Sequence, residues 1–340
     1  MSDTSKVRVV RRDFLKGGAA WAATALLGLP SVATAEPPPE IEKLRIAQGP
    51  FICYAPQMLA AELLRLEGFT EVDYVPVPPD YTLTTIVGAK RVDLSMFGPT
   101  IAVAAIDAGW PVVMLAGIHV GCWELFARDE LSSVRELQGK RIAVIGLGAT
   151  DHLFIASMLA YVGVHPVKEV KWIPTRSLAE NMRLFLAGEA DAFLGFPPQP
   201  QEMRMRKAGR VLVSTTLDRP WSQYFCCMAS MHREFVERYP VATKRTVRAL
   251  LKASDLCANE PERAARYLVA RGYERRYDVA LEVLKSLPYA RWRESSPEDT
   301  LRFHALRLYE VGMIKSTPNK LIAEGSDWRF LDELKRELKA

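Results

Sequence analysis

Three sets of residues in this chain stand where chemistry could be done. The first is Gly146-Leu147-Gly148-Ala149-Thr150-Asp151-His152, which follows an apolar run and opens a helical one. Backbone N–H groups at such a helix start hold anions, aided by the helix dipole. It is not a dinucleotide fingerprint, because Asp151 stands where the third glycine would fall. Thr150 or Asp151 could instead cap the helix with no ligand present. Two short polar side chains and a histidine converging on one turn favour the ligand reading.

The second set is aromatic. Phe97-Gly98-Pro99-Thr100 and the stretch Asp191 to Gln199, containing Gly195-Phe196-Pro197-Pro198, share one form: short strand, Gly/Pro turn, helix. Phe51, Tyr54 and Tyr81 stand at similar places after the first two strands. Each ring alone suits a core, but their recurrence at the exits of successive strands suits a shared pocket at the sheet edge, where open α/β proteins bind ligands. The third is Glu124, alone in the apolar run Gly121 to Phe126. Burying a carboxylate unpaired costs several kcal/mol, so Glu124 should either reach solvent or meet a partner, an arginine or a ligand.

No Ser-His-Asp set, paired carboxylates or metal-ligand spacing argues for catalysis, and no cofactor is implied. The five histidines, at 119, 152, 165, 232 and 304, are scattered, and His232 and His304 read as solvated. Five cysteines (53, 122, 226, 227 and 257) cannot all pair within one chain. Neighbours such as Cys226 and Cys227 rarely bridge each other, so buried free thiols are expected.

The elements that position these residues alternate. Strands are predicted at 44–48, 72–77, 94–97 and 112–118, with helices at 55–67, 82–89 and 101–108 between them. The alternation restarts with a strand at 141–145, the turn Gly146–Thr150 and a helix through Tyr161, a strand at 170–173, a helix at 178–187 and a strand at 191–194. Beyond Pro220 a single strand, 224–229, gives way to helices, one carrying Val247, Leu250 and Leu251 on a face and another Leu301, Ala305 and Leu308. This predicts an α/β fold of two lobes, each a mostly parallel sheet flanked by helices, with the ligand in the cleft between them. Residues 36–120 start the first lobe, 121–220 form the second, and 221–340 return to the first, where the C-terminal helices pack. The chain is read as crossing near 119–128 and 214–224.

Composition agrees with a folded chain: 340 residues, 49% hydrophobic and 25% charged, exclude disorder and collagen-like repetition. Residues 1–35 carry Lys6, Arg8, Arg11, Arg12 and Lys16 against Asp3 and Asp13, which reduces the net charge of +5 to +2 for the remainder. So balanced a body lacks the footprint of a nucleic-acid binder. Arg11-Arg12-Asp13-Phe14-Leu15-Lys16, a weakly apolar stretch and Ala33-Thr34-Ala35 resemble a bacterial twin-arginine export signal. Cleavage after Ala35 would leave a mature protein in the periplasm.

Beyond the signal, residues 41–335 resemble the periplasmic substrate-binding proteins of ABC importers for nitrate, sulfonates, taurine and thiamine-pyrimidine precursors. The resemblance lies in Asp93-Leu94-Ser95-Met96-Phe97-Gly98, in Val134 to Val144, in Gly188 to Ala192 and in Phe235 to Pro240. It implies a type II periplasmic binding protein that closes on a small molecule and delivers it to an inner-membrane permease with its ATPase, without catalysis. By the resemblance, the acidic end of a sulfonate lies near Thr150, faced by Gly98-Pro99-Thr100. Phe196-Pro197-Pro198 departs from the Trp-Glu-Pro of many sulfonate binders, and Asp151 and Glu124 leave room for a zwitterion or a heteroaromatic ligand. Cys226-Cys227 also resembles, in part, the cysteine-rich box of pyrimidine-precursor synthases of the same fold. Such an enzyme, or a sensor using the same pocket, are the alternatives.

Overall fold

The computed structural model describes residues 36–49, 51–78 and 82–339; residues 1–35, expected to be an export signal, and Tyr81 lie outside them. From Pro38 onward the chain forms one contact unit. Its first sheet holds β1 (Lys43–Gln48), β2 (Glu71–Pro76), β3 (Leu94–Phe97), β4 (Val112–Val120) and, far along the chain, β10 (Phe225–His232), in the order β2-β1-β3-β10-β4. The second holds β5 (Glu124–Ala127), β6 (Arg141–Val144), β7 (Lys171–Pro174), β8 (Ala192–Gly195) and β9 (Arg210–Ser214), in the order β7-β6-β8-β5-β9.

Each sheet is mostly parallel, as expected, with four strands running one way and a single reversed strand that makes it mixed. β1 runs parallel to β2 and β3, and β6 parallel to β7 and β8. β10 is antiparallel to both its neighbours, and so is β5. The reason is topological: β5 and β10 are the strands that arrive from the other lobe, and each enters its new sheet reversed. The four-residue β5 and the five-residue β9 were not foreseen. β5 is an apolar run with Leu125 and Ala127 fully buried, and it shows none of the alternation that marks a half-exposed strand.

Helices α1 (Ala55–Leu66), α2 (Leu83–Gly88) and α3 (Pro99–Asp107) follow β1, β2 and β3, while α4 (Thr150–Tyr161), α5 (Leu178–Leu186) and α6 (Gln199–Arg206) follow β6, β7 and β8. The C-terminal part is helical: α7 (Arg233–Arg238), α8 (Pro240–Asn259), α9 (Pro261–Ala270), α10 (Tyr277–Ser286), α11 (Pro297–Glu310), α12 (Pro318–Gly325) and α13 (Arg329–Glu337). Proline at the first helical position starts α3, α8, α9, α11 and α12, where its missing N–H costs nothing.

One arginine clamp recurs in both sheets. Arg45 on β1 donates to Asp93 from its backbone N (2.8 Å), Nε (3.1 Å) and Nη2 (2.6 Å). Arg141 on β6 makes the same three bonds to Asp191, at 2.8, 3.1 and 2.7 Å. Each carboxylate stands just before the third strand of its lobe and fixes the lateral register of the central strands.

The C-terminal helices pack on the first lobe, and one of them, α11, also reaches the second. α11 packs on α3 and also on α4, where His304 Nδ1 lies 3.0 Å from Ser157 Oγ and the His304 ring 5.1 Å from Phe154. His304 is fully buried, not solvated. It shares the face of Thr300, Leu301, Ala305 and Leu308, and burial lowers its pKa to about 3. His232 is buried too, and its Nδ1 accepts the Glu234 N–H at the start of α7.

Candidate functional site

Two helix N-termini meet between the lobes. Gly98 precedes α3 and Ala149 precedes α4, both in extended backbone, and neither supplies a capping side-chain bond. A Cβ placed on Gly98 would sit 3.4 Å from Thr150 Cγ2 and 3.4 Å from the Cys226 carbonyl oxygen. The turn of one lobe therefore touches the turn of the other, and the positive ends of two helix dipoles converge there. Thr100 Oγ1, one residue into α3, is fully buried with no hydrogen-bond partner.

An aromatic wall adjoins these turns. Phe51 and Phe196 approach to 4.2 Å between centroids, Phe196 meets Trp123 edge-on at 4.5 Å, and Trp123 stacks on Phe154 at 5.6 Å. Tyr54 joins through Phe51 at 5.4 Å. It lies flat against Gly49, where any Cβ would come within 2.3 Å of its ring. The Trp123 indole N–H is buried without an acceptor. Phe97 is buried in β3, opposite Met228.

The charged candidates turn away from this place. Asp151 is fully buried and accepts from Ile145 N (2.7 Å), His152 N (3.0 Å) and Asn181 Nδ2 (3.0 Å). Burial raises its pKa, and the bonds from Ile145, His152 and Asn181 oppose that rise. Its oxygens are spent bracing the Ile145–Ala149 turn, so it is not positioned for a ligand. His152 is likewise structural. Its Nδ1 accepts the Gly148 N–H at 3.0 Å, its ring packs on Trp172, and burial lowers its pKa to about 4. Glu124 has the arginine partner: Arg204 Nη1 donates to both carboxylate oxygens, at 2.8 and 2.6 Å. A cavity of about 440 Å³ opens beside this pair, bordered by Pro197, Gln201, Thr216 and Ser286.

Of the sequence candidates, the structure thus brings together Phe51, Tyr54, Gly98, Thr100, Thr150 and Phe196. It sets Glu124, Asp151 and His152 to structural work, and Tyr81 is outside the described residues. Trp123 and Phe154 were missed. Trp123 stands next to Glu124 in the crossover, and its bulk in a segment between sheets was the available signal. All five cysteines are buried and free of disulfides.

A family model described as the NMT1-like family matches residues 37–271. The chain belongs to the NMT1-like family. No curated protein matches it significantly. Among solved structures, this NMT1-like chain is similar to the periplasmic nitrate-binding protein NrtA from Synechocystis PCC 6803. That likeness has 15% identity, covers 89% of this chain and 90% of that one, and gives a TM-score of 0.71. The alkanesulfonate-binding protein SsuA from Xanthomonas axonopodis pv. citri, bound to MOPS, gives 18%, 87% and 100%, and 0.67. The periplasmic aliphatic sulphonate binding protein SsuA from Escherichia coli gives 17%, 82% and 91%, and 0.64. At such identities the likeness shows the fold, that of the periplasmic binding proteins.

Proposed function

We propose that this NMT1-like protein is the solute-binding component of an ABC importer, capturing a small anion of the alkanesulfonate or nitrate type. The observation that carries the reading is the meeting of two uncapped helix N-termini at Gly98 and Thr150, beside an aromatic wall. Leading N–H groups and the hydroxyls of Thr100 and Thr150 suit an acidic oxygen cluster. The rings of Phe51, Phe196 and Trp123 suit a hydrocarbon body. The fold shared with the nitrate-binding and alkanesulfonate-binding proteins supports the same reading. With Asp151 turned inward and Glu124 paired to Arg204, neither carboxylate that the sequence singled out is left unpaired for an amino group. That favours a plain organic anion over a zwitterion or an aminopyrimidine.

In this reading the protein is exported by the twin-arginine pathway, cleaved after Ala35, and delivers its ligand unchanged to an inner-membrane permease. Closure brings the two turns onto the ligand, with motion in the segments joining β4 to β5 and β9 to β10. Thermal-shift titration of the mature chain with alkanesulfonates, taurine, nitrate and an aminopyrimidine tests the reading. Stabilisation by an alkanesulfonate, with none by the aminopyrimidine, is the expected result. Stabilisation by the aminopyrimidine alone would overturn it.

A further inference from the structure

Four of the five thiols gather at one place, together with a histidine that sequence spacing could not have linked to them. Cys53 stands in the short turn after β1, His119 near the end of β4, Cys122 in the crossover, and Cys226 and Cys227 at the start of β10. One ligand atom each of Cys53, His119 and Cys122 lies within 4.8 Å of the other two. Cys122 Sγ is 2.7 Å from Cys226 Sγ, and Cys227 follows Cys226 on β10. All five residues are buried.

Two features set this cluster apart from ordinary core packing. Cys122 holds φ of +127°, a conformation that an L residue rarely adopts. Glycine would occupy that position with less strain, so a thiol retained there points to use of its side chain. His119 has its Nδ1 3.4 Å from the Val120 carbonyl oxygen, while its Nε2 is buried with no partner. An imidazole whose one nitrogen is held by a backbone carbonyl leaves the other lone pair for a metal. The rim is built as well: Tyr289 packs edge-on to His119 at 5.3 Å and donates to the Cys53 carbonyl oxygen at 3.2 Å. Burial pushes the Cys53, Cys122 and Cys226 thiols up. In Cys227 burial acts the same way, but contacts with Cys122, Cys226, Cys53 and His119 outweigh it and lower its pKa.

We infer that Cys53, His119 and Cys122, with one thiol of the Cys226–Cys227 pair, form a tetrahedral site for a thiophilic cation such as Zn²⁺. Three thiolates and an imidazole are a soft donor set of the kind that selects zinc or cuprous copper. Ligand atoms around such an ion stand roughly 3.5 Å apart, given metal bonds of about 2.0–2.3 Å. The Cys122 and Cys226 sulfurs, 2.7 Å apart, would separate to reach that spacing, and ligand atoms up to 4.8 Å apart would draw in. Binding Zn²⁺ releases three thiol protons to solvent and changes no oxidation state. The ion would tie the crossover at Cys122 to the first sheet at Cys53 and β10, directly behind Gly98, whose neighbour is the Cys226 carbonyl oxygen. This inference stands apart from the identity of the transported solute.

The test uses the full chain, reduced and kept anaerobic, loaded with Co²⁺ as a spectroscopic probe and with Zn²⁺ in equilibrium dialysis. One equivalent of zinc and a thiolate-to-cobalt charge-transfer band with intense tetrahedral ligand-field bands are expected. His119→Ala and Cys122→Ser should each weaken zinc binding more than about 100-fold, while Cys257→Ser should bind as the unaltered chain does. The wild-type cobalt spectrum answers the question even if a variant folds poorly. A reduced chain that takes up no zinc would overturn the inference, as would zinc held equally by Cys122→Ser and wild type. So would a Cys122–Cys226 disulfide whose reduction restores no metal uptake.

Discussion

The two lobes are built on one plan and finished differently at the cleft. Both sheets have the same strand order, and in both an arginine of the first strand clamps an aspartate before the third. At the strand exits they diverge. In the first lobe the buried brace is the neutral Gln57, which donates to the Ala47 carbonyl (2.6 Å) and accepts from Met96 N (2.8 Å). In the second the brace is the carboxylate of Asp151, which takes three donors. Past the strand ends the first lobe has the rings of Phe51 and Tyr54 and the start of α3, and the second has the ring of Phe196. The second also offers a glycine turn and the start of α4. A shared frame therefore carries rings and a helix start in both lobes, but braces the strand exit with a neutral amide in one and a carboxylate in the other.

Removing the braces should break this comparison most sharply. Asp151→Ala leaves three donors unpaired, one of them part-buried, at about 1–2 kcal/mol for each such group, so a loss of roughly 3–6 kcal/mol is expected in urea unfolding at pH 7. Gln57→Ala strands only the Ala47 carbonyl and Met96 N–H, and roughly 2–4 kcal/mol should be lost. Equal losses would mean that the two lobes are braced alike.

Acid should act through the contact between the second lobe and the C-terminal helices. His304 is buried neutral, with its pKa lowered to about 3. Its contribution to stability is present above the unfolded value of about 6.5 and is lost as pH falls from there toward 3. By pH 5 the loss should reach roughly 2 kcal/mol. His304→Gln, which can keep a bond to Ser157, should flatten the pH dependence of the unfolding midpoint below pH 6.5. An unchanged slope would assign the acid sensitivity to another group.

The smallest difference is expected where the lobes are most alike. Asp93→Asn and Asp191→Asn each break the same three-bond arginine clamp. They should lower the melting temperature by similar amounts, measured by calorimetry, and a clear disparity would show that the shared frame is not loaded equally.

Much of this frame was legible in the residues. Strand, glycine turn and helix could be read at 141–161 because apolar alternation, Gly146, Gly148 and the helical run follow one another without a gap. What escaped depends on long-range partners. β5 is apolar on both faces, so alternation could not reveal it. Glu124 meets Arg204, 80 positions away. His304 sits between charged neighbours, but its helical register places it on the buried face. The thiol cluster draws on three separated stretches, and the spacing rules that find metal sites apply within one stretch. Asp151 looked like a ligand group because its type and position fit one; only the donors around it reveal the brace.

The central claim is that an organic anion is held where the start of α4 faces Gly98, against the ring of Phe196. Isothermal calorimetry of an alkanesulfonate with wild type, Thr150→Val and Phe196→Ala tests it most directly. Thr150→Val keeps the shape and removes the hydroxyl, so about 1–3 kcal/mol of binding should be lost, roughly a five- to hundred-fold weaker affinity. Phe196→Ala should weaken binding as well, by removing the apolar wall. Unaltered affinity in both variants would contradict the account and move the ligand elsewhere in the molecule.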